Sequence, residues 1–166
     1  LRQFDAGGGE RIPTVDEVIE GVGGKGFVNF ELKTAGTAVP VGDALRRRMR
    51  TGKWGSGHFL VSSFYHSLLE GIAWDDIRIG CLFRDGGWES CRAAAIRLRA
   101  FSVHPEASAV SSGMVEEAHA RGWKVYPFTV NVVTEAMRLR EMGVDGVFTD
   151  FPDRLAAVRG MGCGGG

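Results

Sequence analysis

What the chain has little of sets the first limits. Its three cysteines, Cys81, Cys91 and Cys163, are odd in number and their spacing fits neither a paired-cysteine metal motif nor a disulfide framework. They read as buried or incidental thiols. Net charge is missing as well: 20 basic against 20 acidic side chains argue against an electrostatic grip on nucleic acid or an anionic membrane, leaving room for a local positive pocket around one phosphate. No run reaches the roughly 20 apolar residues that cross a bilayer, so stable membrane insertion is not expected. The start, "LRQFDAGGGERIPT", carries neither a signal peptide nor an initiating methionine. The expectation is a chain that begins inside a longer unit, with a cytoplasmic location.

What is present is regular. With 166 residues, 44% of them hydrophobic, the chain can fill one core. "TVDEVIEGVG" reads as a helix, Thr14 capping it and Glu17 completing a capping box. Strand-like "GFVNFEL", "HFLVSSF", "IRIGCLF", "AFSVHP", "KVYPFTV" and "GVFTD" then alternate with helical "VGDALRRRMRTG", "YHSLLEGIAW", "ESCRAAAIRLR", "SGMVEEAHARG", "TEAMRLREMG" and "FPDRLAAVR". Six short apolar strands separated by amphipathic helices predict an α/β fold with a parallel sheet covered by helices. The terminal stretch 161–166, rich in glycine, has too little side chain to pack and is expected to be flexible.

An open doubly wound sheet suits this length better than a closed barrel, which usually needs about 250 residues. Yet "ELKTAGTAV", after the first strand, has neither the dinucleotide fingerprint nor the lysine–serine ending of a nucleotide loop. Polar residues instead recur where strands end: Glu31 and Lys33, Ser62 and Ser63, Arg84, His104, Thr129 and Asn131, Thr149 and Asp150. In parallel α/β folds those ends converge on the ligand site. Alternation puts Glu31 and Lys33 on one side of their strand, with Asn29 one step deeper. A carboxylate beside an ammonium suits a divalent cation and an anionic substrate oxygen; an ion pair at the rim of a barrel is the other reading.

The ordered segments "DAGGG", "RIPTVDEVIE", "VNFELK", "VSSF", "RIGCLF", "VYPFTVN" and "GVDGVFTDFPDRL" together resemble the glycerophosphodiester phosphodiesterase family. The resemblance implies a phosphodiesterase-type (β/α)8 barrel, present as the C-terminal two thirds of the domain over residues 1–160 and lacking its first strands. It implies metal-dependent hydrolysis of a small-molecule glycerophosphodiester to glycerol 3-phosphate and an alcohol. Glu31 matches a family metal ligand for calcium or magnesium, and Lys33 the lysine beside the phosphate, with a catalytic role in stabilising its charge. Phe128 stands where the family often has tryptophan and would form an aromatic wall for substrate; Asn131 and Asp150 match rim positions, and Phe64 ends the "SSF" strand.

The family's histidine–arginine–glycine motif, its acidic pair and its histidine–aspartate motif have no match ahead of "FDAGGGERIPT". Of the histidines present, His58, His66 and His119 are expected at the surface, while His104 ends a strand and is either packed or functional. No serine has a visible triad partner. The implied catalytic histidines are therefore absent, and little turnover is expected. A non-catalytic phosphate-binding or interaction module and another barrel enzyme acting on a carbonyl substrate stay open as alternatives.

Overall fold

Five short strands, all parallel, lie side by side in the order in which the chain makes them: β1 (Val28–Glu31), β2 (Phe59–Ser63), β3 (Arg78–Phe83), β4 (Ser102–Pro105) and β5 (Lys124–Val125). This is a computed structural model, which describes residues 4–24, 26–72 and 77–160. Between and around the strands run helices α1 (Val15–Val22), α2 (Ala38–Arg50), α3 (His66–Leu69), α4 (Trp88–Arg97), α5 (Ser112–Ala120), α6 (Val133–Glu141) and α7 (Pro152–Gly160). The strand–helix alternation is the predicted one, and a parallel sheet in strictly sequential order is consistent with a barrel of the phosphodiesterase type. The expected terminal tail, with Cys163, lies outside the described residues.

Local chemistry explains most boundaries. Thr14 Oγ1 accepts from the Glu17 N–H at 3.2 Å while the Thr14 N–H donates to Glu17 Oε2 at 2.7 Å, so the capping box starts α1 as its sequence predicts. Arg48 of α2 reaches Asp16 at 2.6 Å and also pairs with Glu20, tying α2 to α1. The helix expected over "YHSLLEGIAW" is shorter, His66–Leu69, because the chain turns at Glu70–Ile72, where Gly71 is a poor helix former. Residues 73–76 of that stretch lie outside the described residues.

The sixth expected strand, "GVFTD", does not form. Its segment still runs beside the chain after β5, through Asp145 N–H to Val125 O at 3.0 Å, Phe148 N–H to Pro127 O at 2.8 Å and Val130 N–H to Phe148 O at 2.8 Å. Pro127 has no N–H to donate to this segment, whereas on the β4 side the bonding passes it, through the Tyr126 N–H to Val103 O and the Phe128 N–H to Pro105 O, each at 3.0 Å.

Alternation divides the sheet into two faces. Towards the helices, Phe59, Val61, Ile79, Cys81, Phe83, Val103 and Val125 join the main apolar core together with Ile19, Leu45, Leu69 and Leu139. Cys81 and Cys91 are free, buried thiols in this core. The other face carries polar side chains, Asn29 and Ser62 on β1 and β2 and Ser102 and His104 on β4, with Gly80 of β3 between them. Ser62 Oγ donates to Asn29 Oδ1 at 2.9 Å, and Ser102 Oγ lies 2.8 Å from His104 Nε2. Gly80 is required: a Cβ there would come within 2.6 Å of the His104 ring.

The amino-terminal end of the sheet is closed by Asp145. Its carboxylate accepts from Lys124 Nζ at 2.7 Å, from the Val125 N–H at 2.9 Å and from His119 Nε2 at 2.9 Å. Burial raises this carboxyl, but the bonds from Lys124, Val125 and His119 outweigh it and hold it below the ordinary 3.8. A carboxyl depressed in the folded state contributes stability above pH 3.8 that is lost as pH falls through its lower folded value. Asp145→Asn is therefore expected to destabilise by about 1–3 kcal/mol at pH 7, with the difference shrinking below pH 3.8. Urea unfolding of both proteins at neutral and strongly acidic pH measures this; an undiminished difference in acid would refute it.

Candidate active site at the carboxyl ends of the strands

Because all five strands point the same way, the loops that follow them share one end of the sheet. Glu31 closes β1 in register with Ser62 of β2. The next residue, Leu32, is buried and donates its N–H to Ser62 O at 2.8 Å. This extends the pairing by one residue and presents Glu31 and Lys33 on either side of it. Lys33 Nζ lies 3.7 Å from Glu31 Oε1, with the lysine side chain 75% and the glutamate side chain 33% exposed. Such a pair in solvent contributes little to stability, which leaves both charges free to serve a ligand. Asn29, one step deeper, is engaged by Ser62.

Glu31, Leu32, Lys33, Phe64, Tyr65 and Arg84 line one open cleft of about 410 Å³. One wall is polar and the other aromatic. Phe128 stands behind Phe64, edge to face at 5.4 Å between centroids, and so supports the aromatic wall from the second layer. Arg84 extends its guanidinium over the Phe64 ring at 5.0 Å and pairs with Glu106 at 3.3 Å. From the sequence neither Leu32 nor Tyr65 stands out, and Arg84 reads only as a strand end. The signal for all three is that they directly follow strands or polar strand ends.

The remaining candidates have other partners. Ser62 and Ser63 are fully buried; Ser63 Oγ donates to Leu32 O at 2.7 Å and accepts from the Tyr65 N–H at 3.0 Å, fixing the turn into the cleft. Asn131 holds the far rim: its Nδ2 donates to Asp150 Oδ2 at 2.9 Å, and its Oδ1 accepts from Thr149 Oγ1 at 3.2 Å and the Asp150 N–H at 3.0 Å. His58 lies 3.0 Å from the Gly55 N–H, ahead of β2, and His119 joins Asp145 at the opposite end of the sheet. His66 Nε2 donates to Leu82 O at 2.9 Å, and burial lowers its pKa. His104 is fully buried between Tyr126 and Phe148, with ring centroids at 5.8 and 5.0 Å, and burial pushes its pKa down to about 3.

Among the described residues no group of three or more histidine, cysteine, aspartate or glutamate side chains is placed to hold a metal ion. Glu31 offers one carboxylate, which fits one corner of a divalent-cation shell and not a whole shell. Magnesium is commonly held in that manner, by one or two carboxylates together with phosphate oxygens and water.

A parallel α/β sheet thus presents a glutamate–lysine pair and aromatic rings together at its strand ends. The model of the glycerophosphoryl diester phosphodiesterase family matches residues 2–154, and the chain belongs to that family. The match runs over nearly the whole chain, which corrects the expectation of a C-terminal portion lacking its first strands. A glycerophosphodiester phosphodiesterase from Caldanaerobacter subterraneus subsp. tengcongensis is 32% identical, aligned over 93% of this chain and 68% of its own length. One from Bacillus altitudinis is 27% identical over 94% of this chain and 66% of its own. A phosphodiesterase structure from Oleispira antarctica, in complex with the product sn-glycerol-3-phosphate, superposes with a TM-score of 0.76 at 27% identity, covering 91% of this chain and 62% of that one. The Silicibacter pomeroyi putative glycerophosphoryl diester phosphodiesterase, 23% identical, shares the fold with a TM-score of 0.76 over 90% of this chain and 57% of its own. The chain thus spans 57% to 68% of the length of these relatives.

Proposed function

We propose that the cleft binds the phosphate of a glycerophosphodiester and serves the hydrolysis of that diester to glycerol 3-phosphate and an alcohol. The observation that carries this is the Glu31–Lys33 pair at the end of β1, 3.7 Å apart and open to a cleft with an aromatic wall. Lys33 neutralises charge on the phosphoryl oxygens, a catalytic contribution because that charge grows towards the transition state. Phe64 receives the apolar edge of the glycerol or alcohol portion, with Phe128 fixing the ring from behind. Asn131 binds substrate from the far rim or keeps Asp150 in place there.

Glu31 is the ligand this chain contributes to a calcium or magnesium ion. When bound, such a cation supplies Lewis-acid withdrawal of charge from the phosphate and acidifies a coordinated water or hydroxyl. Glu31 lines the cleft beside the phosphate position. No histidine lines the described cleft, so proton transfer has no evident donor or acceptor there. That observation favours a second reading, phosphate binding with little turnover.

Calorimetric titration with sn-glycerol 3-phosphate, with and without magnesium or calcium, tests the proposal. The wild-type chain is expected to bind more tightly with the cation. Lys33→Ala is expected to weaken binding about tenfold, the size of one charge-assisted contact. Glu31→Gln should abolish the gain from the cation while leaving cation-free binding intact. Unchanged titrations for both variants would remove the pair from the site.

A further inference from the structure

The phosphate reading of the cleft leaves the other part of the ligand unassigned, and the following inference rests on that reading. Lys33 and Arg84 line the same cleft but follow β1 and β3, with β2 between them. Neighbouring strands lie about 4.8 Å apart, so the two backbones are separated by about 10 Å. Phe64, which follows β2, lines the cleft between them. A phosphate held at Lys33 therefore leaves the alcohol portion to run across Phe64 towards Arg84.

The surroundings of Arg84 decide which alcohol suits it. Its guanidinium lies 5.0 Å from the Phe64 centroid, and Nη1 lies 3.3 Å from Glu106 Oε1. Glu106 is itself fixed, its N–H donating to Phe83 O at 2.9 Å and its backbone bridged to Phe128. An ammonium group would seek the face of an aromatic ring and a carboxylate. Here the ring is already covered by the guanidinium, and the carboxylate beside it is already paired. An anionic group meets the opposite situation: Arg84 is 65% exposed and oriented by ring and carboxylate, and it keeps free N–H donors for a second partner.

We propose that Arg84 is a specificity-determining residue that reads the alcohol portion of the diester, favouring alcohols with a second anionic group, phosphate or carboxylate, over alcohols with an ammonium group. Glu106 is its positioning residue. Discrimination comes from both sides, an attractive guanidinium for the anion and an occupied site for the cation.

The test is calorimetric titration of the wild-type chain with sn-glycerol 3-phosphate, glycerophosphoinositol 4-phosphate and glycerophosphocholine. The inositol phosphate diester is expected to bind about tenfold more tightly than the choline diester, as one charge-assisted contact at an exposed site allows. Arg84→Gln should remove that preference, weakening the inositol phosphate diester about tenfold more than glycerol 3-phosphate, and Arg84→Glu should reverse the order. Arg84 is exposed, so both variants should keep the wild-type circular dichroism and melting curve. Equal affinity of the wild type for the two diesters, or an unchanged preference in Arg84→Gln, overturns this assignment alone. No binding of glycerol 3-phosphate by the wild type overturns the phosphate reading and this inference with it.

Discussion

Hydrolysis of glycerophosphodiesters by this 166-residue chain is expected to be slow, with kcat about 10²–10⁴ below the common enzyme range of roughly 1–10³ s⁻¹. The span is what a positioned acid–base group typically supplies. In the described cleft the ionisable lining groups are Glu31, Lys33, Tyr65 and Arg84. No histidine is among them, and histidine is the side chain most often used for proton transfer. Each described histidine has another engagement: His58 with Gly55, His66 with Leu82, His104 with Ser102, His119 with Asp145. Release of glycerol 3-phosphate from a sequence-verified sample, followed by a coupled assay, measures the rate. Turnover in the ordinary enzyme range would show that an acid–base group reaches the cleft after all. Binding without turnover would support the phosphate-binding reading of the same residues.

Acidification from pH 7 to pH 4 is expected to remove several kcal/mol of folding stability, and His104 is the reason. Burial holds its imidazole neutral, with a pKa near 3 against the ordinary 6.5. Nε2 is engaged by Ser102 Oγ at 2.8 Å, whereas the buried Nδ1 finds no hydrogen-bond partner among the described residues. Nothing there stabilises a proton. The unfolded chain takes up that proton as pH falls below 6.5, while the folded chain does not until about 3. Stability is thus full above pH 6.5 and declines as pH falls towards 3. The gap corresponds to a contribution on the order of 5 kcal/mol at its limit. His104→Asn, which does not titrate, should be less stable than wild type at pH 7 and show a much flatter dependence between pH 6.5 and pH 4. Urea unfolding across that range measures the slope; equally steep decline in both proteins would exclude His104 as its source.

The same histidine shows how far a sequence can be read. "AFSVHP" identifies a strand end, and from that position alone His104 reads as either packed or functional. Burial is a property of its neighbours: Tyr126 and Phe148 come from other segments, and Gly80 on the adjacent strand leaves the room for its ring. Phe128 illustrates the converse. Its motif pointed to an aromatic wall, and an aromatic wall exists, but Phe64 faces the cleft and Phe128 backs it. Asn131 bonds to Thr149 and Asp150, which lie 18 and 19 positions further along the chain.

Local sequence alone was enough for the alternation of strands and helices, the capping box of α1 and the parallel sheet class. These follow from apolar periodicity, capping chemistry and the two-residue repeat of a strand, all of which act over a few residues. Only the tertiary structure decided that "GVFTD" runs beside the sheet without joining it, that Arg84 lies over Phe64 and against Glu106, and that His104 is sealed from the cleft. Each of these depends on contacts between segments distant along the chain, whose strength is set by packing and burial at the meeting point.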